Sequence, residues 1–207
     1  MKVILSALFL WHGLFGTAPE ELPVTQENFN VLIAQNQALA SRVPCIIPID
    51  QFSHTRISSL FAMRRHPVLS KIRHHNGLDI ACEKQSILAA GTGVVSRTGY
   101  DKGLGNYIKI VHGNGYETTY GHLSQVLPKK GQVVILGGNI GIAGKTGLAT
   151  GVHLHYEVRF NGRLVNPLDY LLLLYNALKK SCDSCLYKRI RIDESGIYIP
   201  QKTFTFH

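Results

Sequence analysis

Val152-His153-Leu154-His155-Tyr156-Glu157-Val158-Arg159-Phe160 alternates apolar and polar residues without a break. Period two marks a strand, because successive side chains leave a strand on opposite faces. Val152, Leu154, Tyr156, Val158 and Phe160 make one face, and His153, His155, Glu157 and Arg159 the other. The two imidazoles therefore stand side by side while Leu154 anchors the strand in a core. Far upstream, His75-Asn76-Gly77-Leu78-Asp79 supplies another imidazole and a carboxylate, in a segment (73–81) that bends at Gly77 into a second apolar run. Combined with one histidine of the later strand, these make two imidazoles and one carboxylate, a zinc ligand set with one position left for water. The residues alone leave open which of His153 and His155 completes it.

Outward from these stretches the chain is a series of short strands cut by glycine: 86–90, 93–96, 106–112, 116–123, 132–136 and 139–143. Asn114-Gly115 is a hairpin turn signal. The strand after it is expected to carry Tyr116, Thr118, Tyr120 and His122 on one face, which delivers a fourth histidine of interest, His122. Closely spaced strands without intervening helices predict a mainly β fold, a compact antiparallel sheet or sandwich. A parallel sheet has nowhere to place its crossover helices.

The ends differ from the middle. Residues 25–42 have helical spacing, with Thr25 as cap and Pro44 as stop, and are expected to form an appendage. Residues 45–50 are a short apolar strand candidate, and the basic stretch from Arg56 to Pro67 looks irregular. His54, His66 and His74 lack a partner pattern and are expected at the surface. After Asn166-Pro167, residues 168–180 form an apolar helical run ending in Lys179-Lys180, where a helix C-terminus favours cations. Alternation at 189–192 and 197–199 predicts an extra hairpin. The expected division is 1–18 signal peptide or anchor, 19–55 N-terminal helical segment, 56–171 main domain and 172–207 C-terminal helix and tail.

At 207 residues and 45% hydrophobic content the chain is long enough for one domain with a proper core. A net charge of +9 predicts attraction to polyanions, without choosing among nucleic acid, anionic lipid and an acidic wall polymer. Lys2 followed by an apolar run from Val3 to Gly16 has the pattern of an export signal and is short for a membrane span. Cleavage near Thr17-Ala18 competes with a retained anchor. In an exported chain the Cys182-Asp183-Ser184-Cys185 pair favours a local disulfide, and Cys45 and Cys82 show no metal-site spacing.

The segments His75-x-Gly77-x-Asp79, Ala89-Ala90-x-x-Gly93-x-Val95, Tyr120-x-His122-Leu123, the glycine-threonine run from Gly131 to Gly151, His153-Leu154-His155 and Asn166-Pro167-Leu168-x-Tyr170-Leu171 occur in one order. Over residues 56–171 they resemble the lysostaphin-like zinc metallopeptidases of bacterial cell walls. The resemblance implies a compact antiparallel β domain with one zinc in a groove. It also implies His75, Asp79 and His155 as ligands, and His122 and His153 as non-ligand histidines acting on the water and the transition state. The implied activity is hydrolysis of peptide bonds in peptidoglycan, at stem-peptide cross-links or a glycine-rich bridge. Ile135-Leu136 departs from the polar residues usual before the central glycine, which suggests a covered surface or a contact with the N-terminal helix.

Three other readings compete. A serine or cysteine nucleophile lacks its setting: Ser124 has no elbow around it. A nucleic-acid binder needs aromatic platforms or a recognition helix, and none is evident. A catalytically silent, metal-binding wall module would keep the ligands and lose an assisting histidine, whereas all five positions are present. Glu157 continues the histidine face, either orienting a ligand or solvated at the strand end. The expected partners are peptidoglycan and a regulatory or envelope-machine protein. No nucleic acid is expected, and membrane contact is confined to the N-terminal segment of an exported, periplasmic or envelope protein.

Overall fold

The structure, a computed structural model, describes residues 22–50, 57–65, 72–181, 191–193 and 196–198. The expected export segment, His54, His66 and the Cys182/Cys185 pair lie outside the described residues. Strands β1 (Ile57–Ser59), β2 (Ala62–Arg65), β3 (Ile72–His75), β4 (Leu78–Ala81), β5 (Ser86–Leu88), β6 (Gly93–Asp101) and β7 (Gly105–Val111) lead into β8 (Tyr116–Leu123) and β9 (Gln125–Val126). They are followed by β10 (Val133–Val134), β11 (Asn139–Ile142), β12 (His153–Phe160) and β13 (Arg163–Val165). The fold is mainly β and antiparallel, as the glycine-cut alternation predicts. The 56–67 stretch is a correction: it holds β1 and β2 rather than irregular chain, and β1 pairs with β4 while β2 pairs with β3. The tail alternation does pair, as β14 (Arg191–Asp193) with β15 (Gly196–Tyr198).

An eight-stranded sheet runs in the order β1-β4-β12-β8-β7-β6-β10, with β13 also on β12. A second sheet has the order β5-β11-β9. The alternation of β12 sends Leu154, Tyr156 and Val158 into the core, where each is fully buried, beside Leu78 and Ile80 of β4 and Tyr120 of β8. These residues form one cluster with Ile87 and Ile140 of the smaller sheet. The other face of β12 is thereby left for polar side chains, which is where the site forms.

Helix α1 (Gln26–Gln35) starts at a capping box in which Thr25 and Asn28 exchange bonds. The expected continuous helix breaks at Asn36, whose side chain caps α2 (Gln37–Ala40) by accepting from the Leu39 amide at 2.9 Å. Phe29 is fully buried, as are Cys45 and Ile49, so this segment is built into the core rather than appended to it. Residues 45–50 contribute single bonds and one bridge, Ile49 to Ile87, instead of a strand, because Pro44 and Pro48 lack amide donors. The expected C-terminal helix begins late: Asn166 caps a 3-10 turn at Pro167–Asp169, and α3 (Leu173–Ser181) follows and packs on α1. Gln26 Nε2 donates to the Leu173 carbonyl at 3.0 Å. Leu136 enters the core while Ile135 is 62% exposed, so neither a covering surface nor a helix contact explains Ile135 among the described residues. No helix among the described residues is long and apolar enough to cross a membrane.

One polar chain threads this core. The Ala90 amide donates to Tyr120 Oη at 2.9 Å, Tyr120 Oη and Thr118 Oγ1 lie 3.1 Å apart, and Thr118 Oγ1 lies 2.8 Å from His112 Nε2. His112 Nδ1 donates to the Thr92 carbonyl at 2.9 Å. Burial pushes the His112 pKa down to about 4 despite that bond. A histidine depressed in the folded state costs no stability above its unfolded pKa, about 6.5, and costs progressively more as pH falls toward the folded value. Between pH 7 and 4.5 this one group should remove about 2–3 kcal/mol of stability. Urea unfolding of the wild type and His112→Gln at both pH values checks this: the variant is expected to lose less stability on acidification by about that amount.

Candidate metal and active site

Asp79 on β4 is directly opposite His155 on β12, and His155 is opposite Gly121 on β8. All three positions share the face away from the core. His75, at the end of β3, is brought over this row by the bend at Gly77. There His75 Nε2 lies 3.0 Å from Asp79 Oδ1 and 3.2 Å from His155 Nδ1. His155 Nδ1 lies 2.8 Å from the same carboxylate oxygen. The three side chains are buried and their donor atoms converge on one point.

The opposite ring nitrogens fix the tautomers. His75 Nδ1 donates to the Leu60 carbonyl at 2.8 Å, leaving its Nε2 as a lone pair in the site. His155 Nε2 donates to Glu157 Oε1 at 3.3 Å, leaving its Nδ1 as a lone pair. Two imidazole lone pairs and a carboxylate oxygen facing one another repel unless a cation lies between them. Zinc–nitrogen bonds of 2.0–2.1 Å place tetrahedral ligand atoms about 3.3 Å apart, close to the separations found here. The residues therefore fit a zinc ion, with each ligating ring oriented through its far nitrogen. Burial opposes charge on His155, but its bonds to Asp79 and Glu157 outweigh that and raise its pKa to about 9. Burial likewise pushes the Asp79 carboxyl up, and the bonds from His155 and His75 more than reverse it, holding it well below the carboxylate range. Glu157 is buried and touches His155, which decides between the two readings of it: it is not solvated.

His153 and His122 stand beside this set. His153 Nδ1 donates to the Gly151 carbonyl at 3.0 Å, and its Nε2 is 3.8 Å from Asp79 Oδ1. Their rings are 4.5 Å apart between centroids. The expectation that His122 shares a face with Tyr120 is corrected. Asn106 pairs with Leu123 and Ile108 with Tyr120, so Tyr107 alone opposes both Gly121 and His122. This bulge, with His122 at φ 60°, turns the imidazole out of the core and over the groove while Tyr120 stays inside. The His122 amide donates to the Leu104 carbonyl at 2.6 Å, and its Nδ1 donates to the Thr146 carbonyl at 2.8 Å. Burial and the neighbouring His153 lower the His122 pKa to about 4.

Thr146 is a positioning residue to which the sequence reading assigned no role. Its hydroxyl accepts from the Asn106 amide and donates to the Leu123 carbonyl, both at 2.9 Å, pinning the loop that holds His122. Gly147, at φ 71°, lets that loop pass against β7: a Cβ there would lie 2.3 Å from the Gly105 nitrogen. The glycine-threonine run is thus close-approach chemistry. The five histidine and aspartate positions line one groove of about 900 Å³, with Asn76, Leu104, Leu148 and Lys109 among its walls. His74 is exposed at its rim, as expected of a surface histidine.

An antiparallel β domain with a two-imidazole, one-carboxylate ligand set and two flanking histidines has the architecture of a metallopeptidase. Residues 73–167 match the model for Peptidase family M23, and the chain carries an M23 peptidase domain. Over 150 residues it is 43% identical to the peptidoglycan DD-endopeptidase ShyA of Vibrio cholerae, covering 71% of this chain and 34% of that protein. Over 126 residues it is 44% identical to the DD-carboxypeptidase/endopeptidase Mpg of Neisseria meningitidis, covering 60% of this chain and 29% of that one. A zinc-containing peptidase from Vibrio cholerae is similar in structure, with a TM-score of 0.53 and 34% identity over 61% of this chain and 41% of that chain. The chain spans about a third of the length of these curated relatives.

Gly77 tests the construction of the site. A Cβ there would meet the Tyr156 carbonyl at 2.5 Å and the His155 ring at 3.0 Å. Gly77→Ala is expected to destabilise the fold by about 1–3 kcal/mol and to weaken metal binding by displacing His155. Thermal unfolding and a zinc titration in competition with a chelator measure both.

Proposed function

We propose that the chain is a zinc-dependent endopeptidase that hydrolyses peptide bonds in bacterial peptidoglycan, acting in the cell envelope after export, with residues 56–171 as its peptidase unit. The observation that carries this reading is the convergence of His75 Nε2, His155 Nδ1 and Asp79 Oδ1 with their remaining ring nitrogens committed to acceptors. The names of the relatives support peptidoglycan as substrate and a D,D cross-link as the bond.

His75, Asp79 and His155 would hold the ion, leaving its remaining position to the groove. Zinc bound there supplies a water that ionises near neutral pH, about 7 in well-studied sites, and a Lewis acid for the scissile carbonyl. His122 and His153 each donate through Nδ1 to a backbone carbonyl, so each presents a basic Nε2 to the groove. One accepts the proton of the attacking water and the other steadies the oxyanion or returns a proton to the leaving amine. Glu157 holds the His155 tautomer, and burial of His122 disfavours its charged form. Both assisting rings depend on carbonyls flanking the glycine-rich loop.

Digestion of purified peptidoglycan, followed by mass analysis of the fragments, tests the reading. Fragments are expected with zinc and absent after chelation, returning when zinc is restored; zinc-independent digestion overturns it. His155→Ala should lose metal and activity together. His122→Ala should retain stoichiometric metal and slow turnover by about 10²-fold or more.

A further inference from the structure

The site face of the sheet continues past the ligands and changes character. Two residues along β12 from His155 is Glu157, opposite Thr119 on β8, which is opposite Lys109 on β7. Two residues further along β12 is Arg159. Lys109 and Arg159 both line the same groove as the ligands. Neither cation is tightly neutralised. Lys109 Nζ is 3.7 Å from Glu117, and Arg159 Nη2 is 3.7 Å from Glu157, whose other oxygen is committed to His155. Arg159 Nη1 reaches only the Gly162 carbonyl, at 3.3 Å, and its buried Nε has no hydrogen-bond partner. Between the two strands that carry these cations lies Thr119, 1% exposed, with its Oγ1 buried and unpartnered. An unsatisfied buried hydroxyl beside two loosely paired cations is unusual, since buried polar atoms normally find partners.

We infer that Lys109 and Arg159, with Thr119 beneath them, form a specificity subsite that binds a free carboxylate of the substrate peptide. The inference rests on the peptidase reading and adds which substrates the groove prefers. A strand rises about 3.3 Å per residue, so two to four positions from His155 place the carboxylate about 7–13 Å along the groove from the ligands. An extended peptide covers that distance in two to four residues. The cations would recognise a side-chain or terminal carboxylate of the stem peptides, on the arm of the substrate that runs along β12 toward Arg159. Amidation of that carboxylate removes the charge and keeps the shape, which separates recognition of charge from general fit. The two lysine and arginine heads differ in kind: Arg159 offers a planar fork and Lys109 a point charge.

The test uses two cross-linked stem peptides, identical except that their free carboxylates are intact in one and amidated in the other, with the full zinc-loaded chain. The wild type should favour the carboxylate form by about tenfold, mainly through KM, as befits a charge-assisted bond. Lys109→Met and Arg159→Gln should each bring the ratio toward one, and raising salt should lower it in the wild type. Binding titrations of both peptides read the same ratio if neither is cleaved, so a failure of the peptidase reading stays distinct from a failure of the subsite. Equal handling of the two peptides by the wild type overturns the inference. So does an unchanged wild-type ratio in both variants, provided zinc content and unfolding temperature show them folded.

Discussion

One carboxylate oxygen, Oδ1 of Asp79, lies within 3.0 Å of ring nitrogens from His75 and His155, which the chain separates by 80 residues. Burying that charge is costly unless cations surround it. The fold answers with a central pair of strands, β4 and β12, whose register puts Asp79 beside His155. Their opposite faces, Leu78 and Ile80 with Leu154 and Tyr156, are fully buried. Packing thus holds the two donors at a separation that electrostatics alone would not choose. A shift of the register by one residue would exchange imidazoles for aliphatic side chains.

Around this point the protein spends its backbone carbonyls on imidazole orientation. Leu60 holds His75, Gly151 holds His153 and Thr146 holds His122, while Glu157 alone uses a side chain to hold His155. Two of the three carbonyls, those of Thr146 and Gly151, come from the one connection between β11 and β12, which explains why glycine and threonine dominate the 144–151 loop: it must approach β7 and β8 closely enough to present them. Each ring is thereby given one tautomer. His75 and His155 turn lone pairs inward, and His153 and His122 turn theirs toward the groove.

The same sheet face grades from this cluster into charged side chains on β7, β8 and β12. Lys109, Glu117, Glu157 and Arg159 follow the strand alternation that produced the histidine pair. The converging His75, Asp79 and His155 and these charged side chains are therefore laid on one continuous surface, supported from behind by one core. The N-terminal segment strengthens that support from the far side: none of its described residues lines the groove.

Much of this was legible in the sequence. The alternation of 152–160 determined that His153 and His155 share a face with Glu157 and Arg159, and the glycine punctuation determined a sheet-rich fold, because both depend on the two-residue period of a strand. Spacing around Gly77 placed His75 and Asp79 within reach of each other. Tertiary structure decided the rest. The burial of Phe29 makes the first helix part of the core, which local helical spacing does not reveal, and the 57–65 strands exist because β4 and β3 offer them edges. His122 shows the limit most clearly: strict alternation would bury it beside Tyr120, and only the bulge opposite Tyr107 turns it toward His153. A bulge depends on the register between two strands, and register is a property of the paired sheet rather than of either strand alone.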